Sequence, residues 1–167
     1  VAAWHRLGTV VDSDLNPTEA LRAANLDWDV IKTGFVKAEH PNIGDVFSED
    51  YCAIVREDTK EILSVQSSDY QVIQNSEHFE MAYELSGDVK VESALSLKNG
   101  RKVVLLLRGD TFEVNGSSGD TVTEYMGLTN SHDGSIAFSA LPTSVRIVCQ
   151  NTLSMAIAQA RRGKNMF

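Results

Sequence analysis

The sequence predicts an α+β fold, a mostly antiparallel β-sheet built from hairpins with helices packed on one face. Three observations predict it. Runs rich in β-branched and aromatic residues come in pairs joined by short turn-forming segments. The run Val103-Val104-Leu105-Leu106-Leu107 is apolar at every position, the pattern of a strand covered on both faces. The section from Tyr51 to Gly87 reads strand, strand, helix, with a helix start signal following a strand pair.

Asn16-Pro17-Thr18-Glu19 offers a capping residue, a proline for the first turn and an acid for the positive end of a helix. The helix it opens should run to about Asn25. Trp28, Val30 and Ile31 begin a strand-like stretch. Residues 37–50 carry Pro41, Gly44 and several acids, and read as a loop. Tyr51–Arg56 and Ile62–Gln66 read as a hairpin around Glu57-Asp58-Thr59-Lys60, with the second arm extending or re-forming through Tyr70–Ile73. Asn75 or Ser76 then caps a helix with Phe79, Tyr83 and Met81 as apolar contacts, ending at Ser86-Gly87.

Val89–Leu97 and Arg101–Arg108 flank Lys98-Asn99-Gly100, where Asn-Gly is a strong tight-turn signal. Asn115–Gly119 is a Gly/Ser loop. Thr121–Leu128 reads as a strand, joined through Asn130–Gly134 to Ile136–Leu141, and Val145–Cys149 as a last strand. Gln150-Asn151-Thr152 opens a terminal helix with Leu153, Ala156, Ile157 and Ala160 inward. Its basic end, Arg161, Arg162 and Lys164, suits the negative end of a helix dipole.

A chain of 167 residues is long enough to bury a sizeable core and fits one domain, residues 1–167. It begins without Met and stops just after a basic cluster, and reads as a portion of a longer protein. An apolar fraction of 43% and a charged fraction of 23% are those of a globular protein and exclude disorder. No apolar run approaches the ~20 residues that span a bilayer. Val1–Val10 carries Trp4, His5 and Arg6 where a signal peptide needs an apolar stretch. These features imply no membrane partner. Cys52 and Cys149 each sit in an apolar run and read as buried free thiols of a reducing compartment; a disulfide between them is a question of geometry.

The net charge of −8 is unevenly spread, at −10 over residues 1–100 and +2 over residues 101–167. The total discourages polyanion binding, whereas the more basic second half leaves room for a cationic face.

Several motifs resemble a known family, the phage/plasmid-like proteins grouped as domain of unknown function 932. They are Trp4-His5-Arg6-Leu7-Gly8-Thr9, Leu26-Asp27-Trp28-Asp29-Val30, Tyr70-Gln71-Val72-Ile73-Gln74-Asn75 and Leu97-Lys98-Asn99-Gly100-Arg101. The most specific are Leu128–Ser135 and Val145–Leu153. The resemblance implies a setting on bacterial mobile elements, hence the cytoplasm of a bacterial host, and proteins that continue beyond this chain. It implies no settled activity. The strand-hairpin-helix order also resembles the core of Rad52-like single-strand annealing proteins.

His132-Asp133 could ligate a metal or move protons, but Asn130 before and Gly134 after make it read first as a turn. No further ligand lies at metal spacing. Phosphate-binding, dinucleotide, nucleophile-elbow and HExxH motifs are missing, and no cofactor is implied. Arg146 interrupts an apolar run, so it must reach solvent, a carboxylate or a ligand. Arg56, Arg101, Arg108, Arg146, Arg161, Arg162 and Lys164, with Asn151 and Thr152 at a helix start, form a candidate DNA-binding set. Tyr51, Tyr70, Tyr125 and Phe138 are its candidate stacking surfaces. The leading expectation is a single-stranded DNA-binding and annealing protein of a phage or plasmid, acting in recombination as a homo-oligomer. The alternatives are a hydrolase or nuclease using His132 and Asp133, and a host-interaction protein with an acidic surface.

Overall fold

A computed structural model describes residues 8–11, 15–86, 90–113 and 121–163. Residues 1–7, Gly87, Val89, the Asn115–Gly119 loop and Lys164 lie outside them. The fold is α+β with mostly antiparallel sheets. In chain order the described elements are β1 (Gly8–Val10), α1 (Pro17–Ala23), β2 (Val30–Lys32), β3 (Val36–His40), β4 (Gly44–Ser48), β5 (Tyr51–Arg56), β6 (Ile62–Ser67), α2 (Asn75–Ser86), β7 (Lys90–Leu97), β8 (Lys102–Glu113), β9 (Thr121–Ser131), β10 (Ser139–Thr143) and α3 (Gln150–Gly163).

Five strands form the main sheet in the order β1-β7-β8-β9-β10, and three form a smaller one, β2-β5-β6. Val103 to Leu107 of β8 are all buried, and they alternate between two cores. Val103, Leu105 and Leu107 pack with Phe79 and Ala82 of α2, Ala20 and Leu21 of α1, and Ile54 and Leu63 of the small sheet. Val104 and Leu106 pack with Leu153, Ala156 and Ala160 of α3. Sharing one face thus holds for α1 and α2, while α3 covers the other. The doubly covered β8 could not be polar anywhere along this run without burying an unpaired group.

Local chemistry sets the element ends. Asn16 and Glu19 form a capping box at α1: Oδ1 of Asn16 accepts from the Glu19 N–H at 2.9 Å, and Glu19 accepts from the Asn16 N–H at 3.0 Å. In the β7–β8 turn Lys98 (φ 52), Asn99 (φ 59) and Gly100 (φ 97) all lie in left-handed territory. Gly100 has a second constraint, because a Cβ there would stand 2.8 Å from the Trp28 ring.

Four expectations need correction. Residues 37–50 hold the β3–β4 hairpin, whose register runs from Val36↔Ser48 to His40↔Gly44; Pro41 and Gly44 are its turn, where a whole loop was expected. Tyr70–Ile73 is irregular, since the Gln74 side chain takes the edge position on β2 that another strand would need. The strand after β9 starts at Ser139, with Pro142 tolerated on the sheet edge. Val145–Cys149 is an extended link outside any sheet; Ile147 is buried as a single plug in the α3 core. Cys52 and Cys149 are free thiols, Cys52 buried and Cys149 half-buried.

Candidate nucleic-acid interface

His132 and Asp133 follow the end of β9 and behave differently from each other. The His132 side chain is 1% exposed. Its backbone N–H donates to Arg101 O at 2.8 Å, and its Nε2 meets Asn75 Oδ1 at 3.1 Å. The ring stands edge-on to Trp28 with centroids 5.7 Å apart, and burial pushes its pKa down to about 4. It therefore bridges the main sheet to α2 and is closed to an outside substrate. Asp133 makes the turn: its Oδ1 accepts from the Ser135 N–H at 3.0 Å and from the Ser135 hydroxyl. Burial alone would raise the Asp133 carboxyl, but the Ser135 bonds together with the charges of Lys102 and Lys98 hold the group below its ordinary value. Among the described residues, no cluster of three or more His, Cys, Asp or Glu is placed to hold a metal.

Arg56 is committed to structure. It lies 4.2 Å over the Trp28 ring and grips Asp58 with two nitrogens, at 2.7 and 2.8 Å. Asp58, Arg56, Trp28, His132 and Asn75 thus stack in series across both sheets. Arg101 is half-exposed and 4.0 Å from Glu61, with its Nε buried and unpartnered. Arg146 pairs with Glu92 of β7, whose side chain is 14% exposed. The arginine that stood out in the sequence is therefore a structural partner for a carboxylate that did not stand out.

The start of α3 is also self-contained. Thr152 Oγ1 accepts from the N–H groups of Val148 and Cys149, at 2.9 and 3.0 Å. The Cys149 sulfur lies 3.6 Å from the Thr152 hydroxyl, and hydrogen bonding to the Thr152 backbone and side chain holds the thiol below its ordinary pKa. Thr152, expected at the helix start, thus ties its hydroxyl back to the backbone of Val148 and Cys149. Asn151 is exposed, and its backbone N–H adds a smaller lowering effect on the same thiol.

Arg108, Arg161 and Arg162 remain. All three are exposed, and none makes an ion pair among the described residues. Arg108 is paired across the sheet with Tyr125, and Tyr125 with Thr143. Thr143 Oγ1 is 3.1 Å from Gln159, two residues before Arg161. The three guanidinium groups thus belong to one end of the main sheet. Arg56 and Arg101 belong to the other end, six β8 residues or ~20 Å away.

Residues 134–163 contain no Asp or Glu. The outward side of α3 presents Asn151, Ser154, Met155, Ala158 and Gln159 before the two arginines. This acid-free stretch is readable in the sequence itself. Beside it a cleft of about 610 Å³ is lined by Leu85, Met126, Tyr125 and Pro142, with Asp110 and Glu124 at its walls. Of the expected stacking residues, only Tyr51 is exposed. Tyr70 donates its hydroxyl to Ser131 O at 2.7 Å, Phe138 stands edge-on to His78, and Tyr125 packs partly into the α3 core.

No described helix is long and apolar enough to cross a membrane. Comparison with curated proteins and with solved structures gives no match. A family model described as "Domain of unknown function (DUF932)" matches residues 62–165, from β6 to just past α3. That span is more than half of the chain and holds both of the most specific motifs, so the chain belongs to the DUF932 family.

Proposed function

We propose that this domain binds single-stranded DNA and promotes annealing during recombination on a phage or plasmid, several copies acting together in the bacterial cytoplasm. The supporting observation is the surface of α3. In a chain of net charge −8, it is built from a stretch without a carboxylate and ends in two arginines that make no ion pair among the described residues, with a third on the neighbouring sheet. Small uncharged side chains let a sugar-phosphate backbone approach closely, and unpaired guanidiniums bind phosphate without first giving up a partner. The carboxylates of the adjacent cleft repel phosphate, so the strand runs along α3 and stays out of the cleft.

The test is fluorescence polarisation of a labelled oligonucleotide at low salt with the full-length protein. Replacing Arg108, Arg161 and Arg162 together by Ala should weaken binding at least tenfold and reduce the salt slope by about 2. Absence of single-strand binding by the parent protein, or an unchanged slope in the variant, would sink the proposal. The hydrolase reading is not favoured, because His132 is buried and bonded to Asn75.

A further inference from the structure

The small sheet has an apolar face on the core and a second apolar face on solvent. Val30, Cys52, Ile54 and Leu63 point inward. On the other side the register pairs Ile31 with Val55 and Val55 with Ile62, with Val65 on the same outward surface opposite the buried Ala53. Ile62 is 55% exposed and Val65 52%. Next to them the β3–β4 arm adds Val46 and Phe47, the latter 59% exposed, and a shallow, almost wholly apolar groove runs between arm and sheet. A two-stranded ribbon this exposed is marginal alone in water, so its outer side chains gain from being covered.

The charge around this surface defines what covers it. Residues 27–69 carry ten acids and four bases. Lys37 is shared between Glu39 and Asp45, Arg56 is held by Asp58, and Lys32 donates to the carbonyls of Ser68 and Tyr70, which leaves Lys60, exposed in the β5–β6 turn at the Glu57 end, as the one base of this stretch without an ion pair or side-chain hydrogen bond among the described residues. Glu49, Asp50 and Asp69 at one end of the face, and Glu57 at the other, make no ion pair among the described residues. The rim is therefore negative, and a second copy presenting the same face would meet like charge. The free edge of β2 is closed by Gln74, so the available contact is side chain to side chain.

We propose that this outer face docks a basic, apolar segment of a partner protein, with apolar side chains seated over Val65 and Phe47 and Lys or Arg reaching the Glu49, Asp50 and Glu57 rim. This surface is separate from α3 and does not depend on DNA binding.

The experiment uses the full chain and dye-labelled model peptides. A short peptide alternating Lys and Val should bind, more weakly as salt rises. Peptides alternating Glu and Val, or Lys and Ser, should not. Phe47→Ser with Val65→Thr should weaken binding about tenfold, and Glu49→Gln with Asp50→Asn should remove most of the salt dependence. The second pair changes only exposed charges, so it remains informative if the first pair lowers the melting temperature. Oligonucleotide affinity should be the same in both variants, which separates this proposal from the preceding one. Equal binding of the Lys-Ser peptide, or no loss in either variant, overturns it. So does concentration-dependent dimerisation in light scattering that both variants abolish, which would assign the face to a second copy.

Discussion

The side chain of Gln74 pairs with the backbone of Val30 as a neighbouring strand would, accepting from its N–H at 2.9 Å and donating to its carbonyl at 2.8 Å. One amide thus satisfies both backbone groups of Val30 on the free edge of β2 and occupies the place where another chain could pair there. Gln74→Leu leaves both groups without a partner. It should cost about 1–3 kcal/mol in urea unfolding and raise the rate of aggregation followed by light scattering. Unchanged stability and solubility would show that water serves the edge equally well.

Gly100 combines a φ of 97 with a Cβ position 2.8 Å from Trp28. Gly100→Ala should therefore destabilise by about 1–3 kcal/mol and shift Trp28 fluorescence, because the ring on which Arg56 rests must move. Loss of stability without a change in emission would locate the cost in the backbone alone.

Arg146→Met removes the partner of the largely buried Glu92. It should lower stability by roughly 3 kcal/mol, with most of the loss recovered in the double variant with Glu92→Gln. Equal losses in single and double variants would show that the pair is not coupled.

Acid should unfold this protein through two histidines. His78 is fully buried, neither ring nitrogen makes a hydrogen bond of normal geometry, and burial pushes its pKa down to about 3. His132 is held at about 4 by burial. Both values lie below the ordinary 6.5, so the unfolded chain takes up protons first. The stability these neutral rings contribute is complete above about pH 6.5 and is lost as pH falls towards 4 and then 3. Urea midpoints measured from pH 7 to pH 4 should fall steadily, and His78→Leu should flatten the slope. A parallel decline in the variant would assign the acid sensitivity to other groups.

The fold class, the β5–β6 and β7–β8 hairpins and all three helices were legible in the sequence, because period, turn chemistry and capping residues are local. The β3–β4 arm was hidden by its acids and Pro41, which are loop-like in composition and become strand-like only when Lys37 is flanked by Glu39 and Asp45. The site was read less well. Whether Arg56 and Arg146 are free depends on Asp58, Trp28 and Glu92, and two of these three partners are distant in sequence. His132 reads as part of a turn because its neighbours are turn formers, yet its burial is set by Asn75, which bonds its ring from α2.

The pairing of β1 with β7 joins Val10 to Ser93. During synthesis at ~5–20 residues per second, β1 waits roughly 4–16 s before its partner leaves the ribosome. Meanwhile β5 and β6 need only their own turn to pair. The small sheet can thus form early, whereas the main sheet is complete only once β9 and β10 have followed β7 and β8 out of the ribosome.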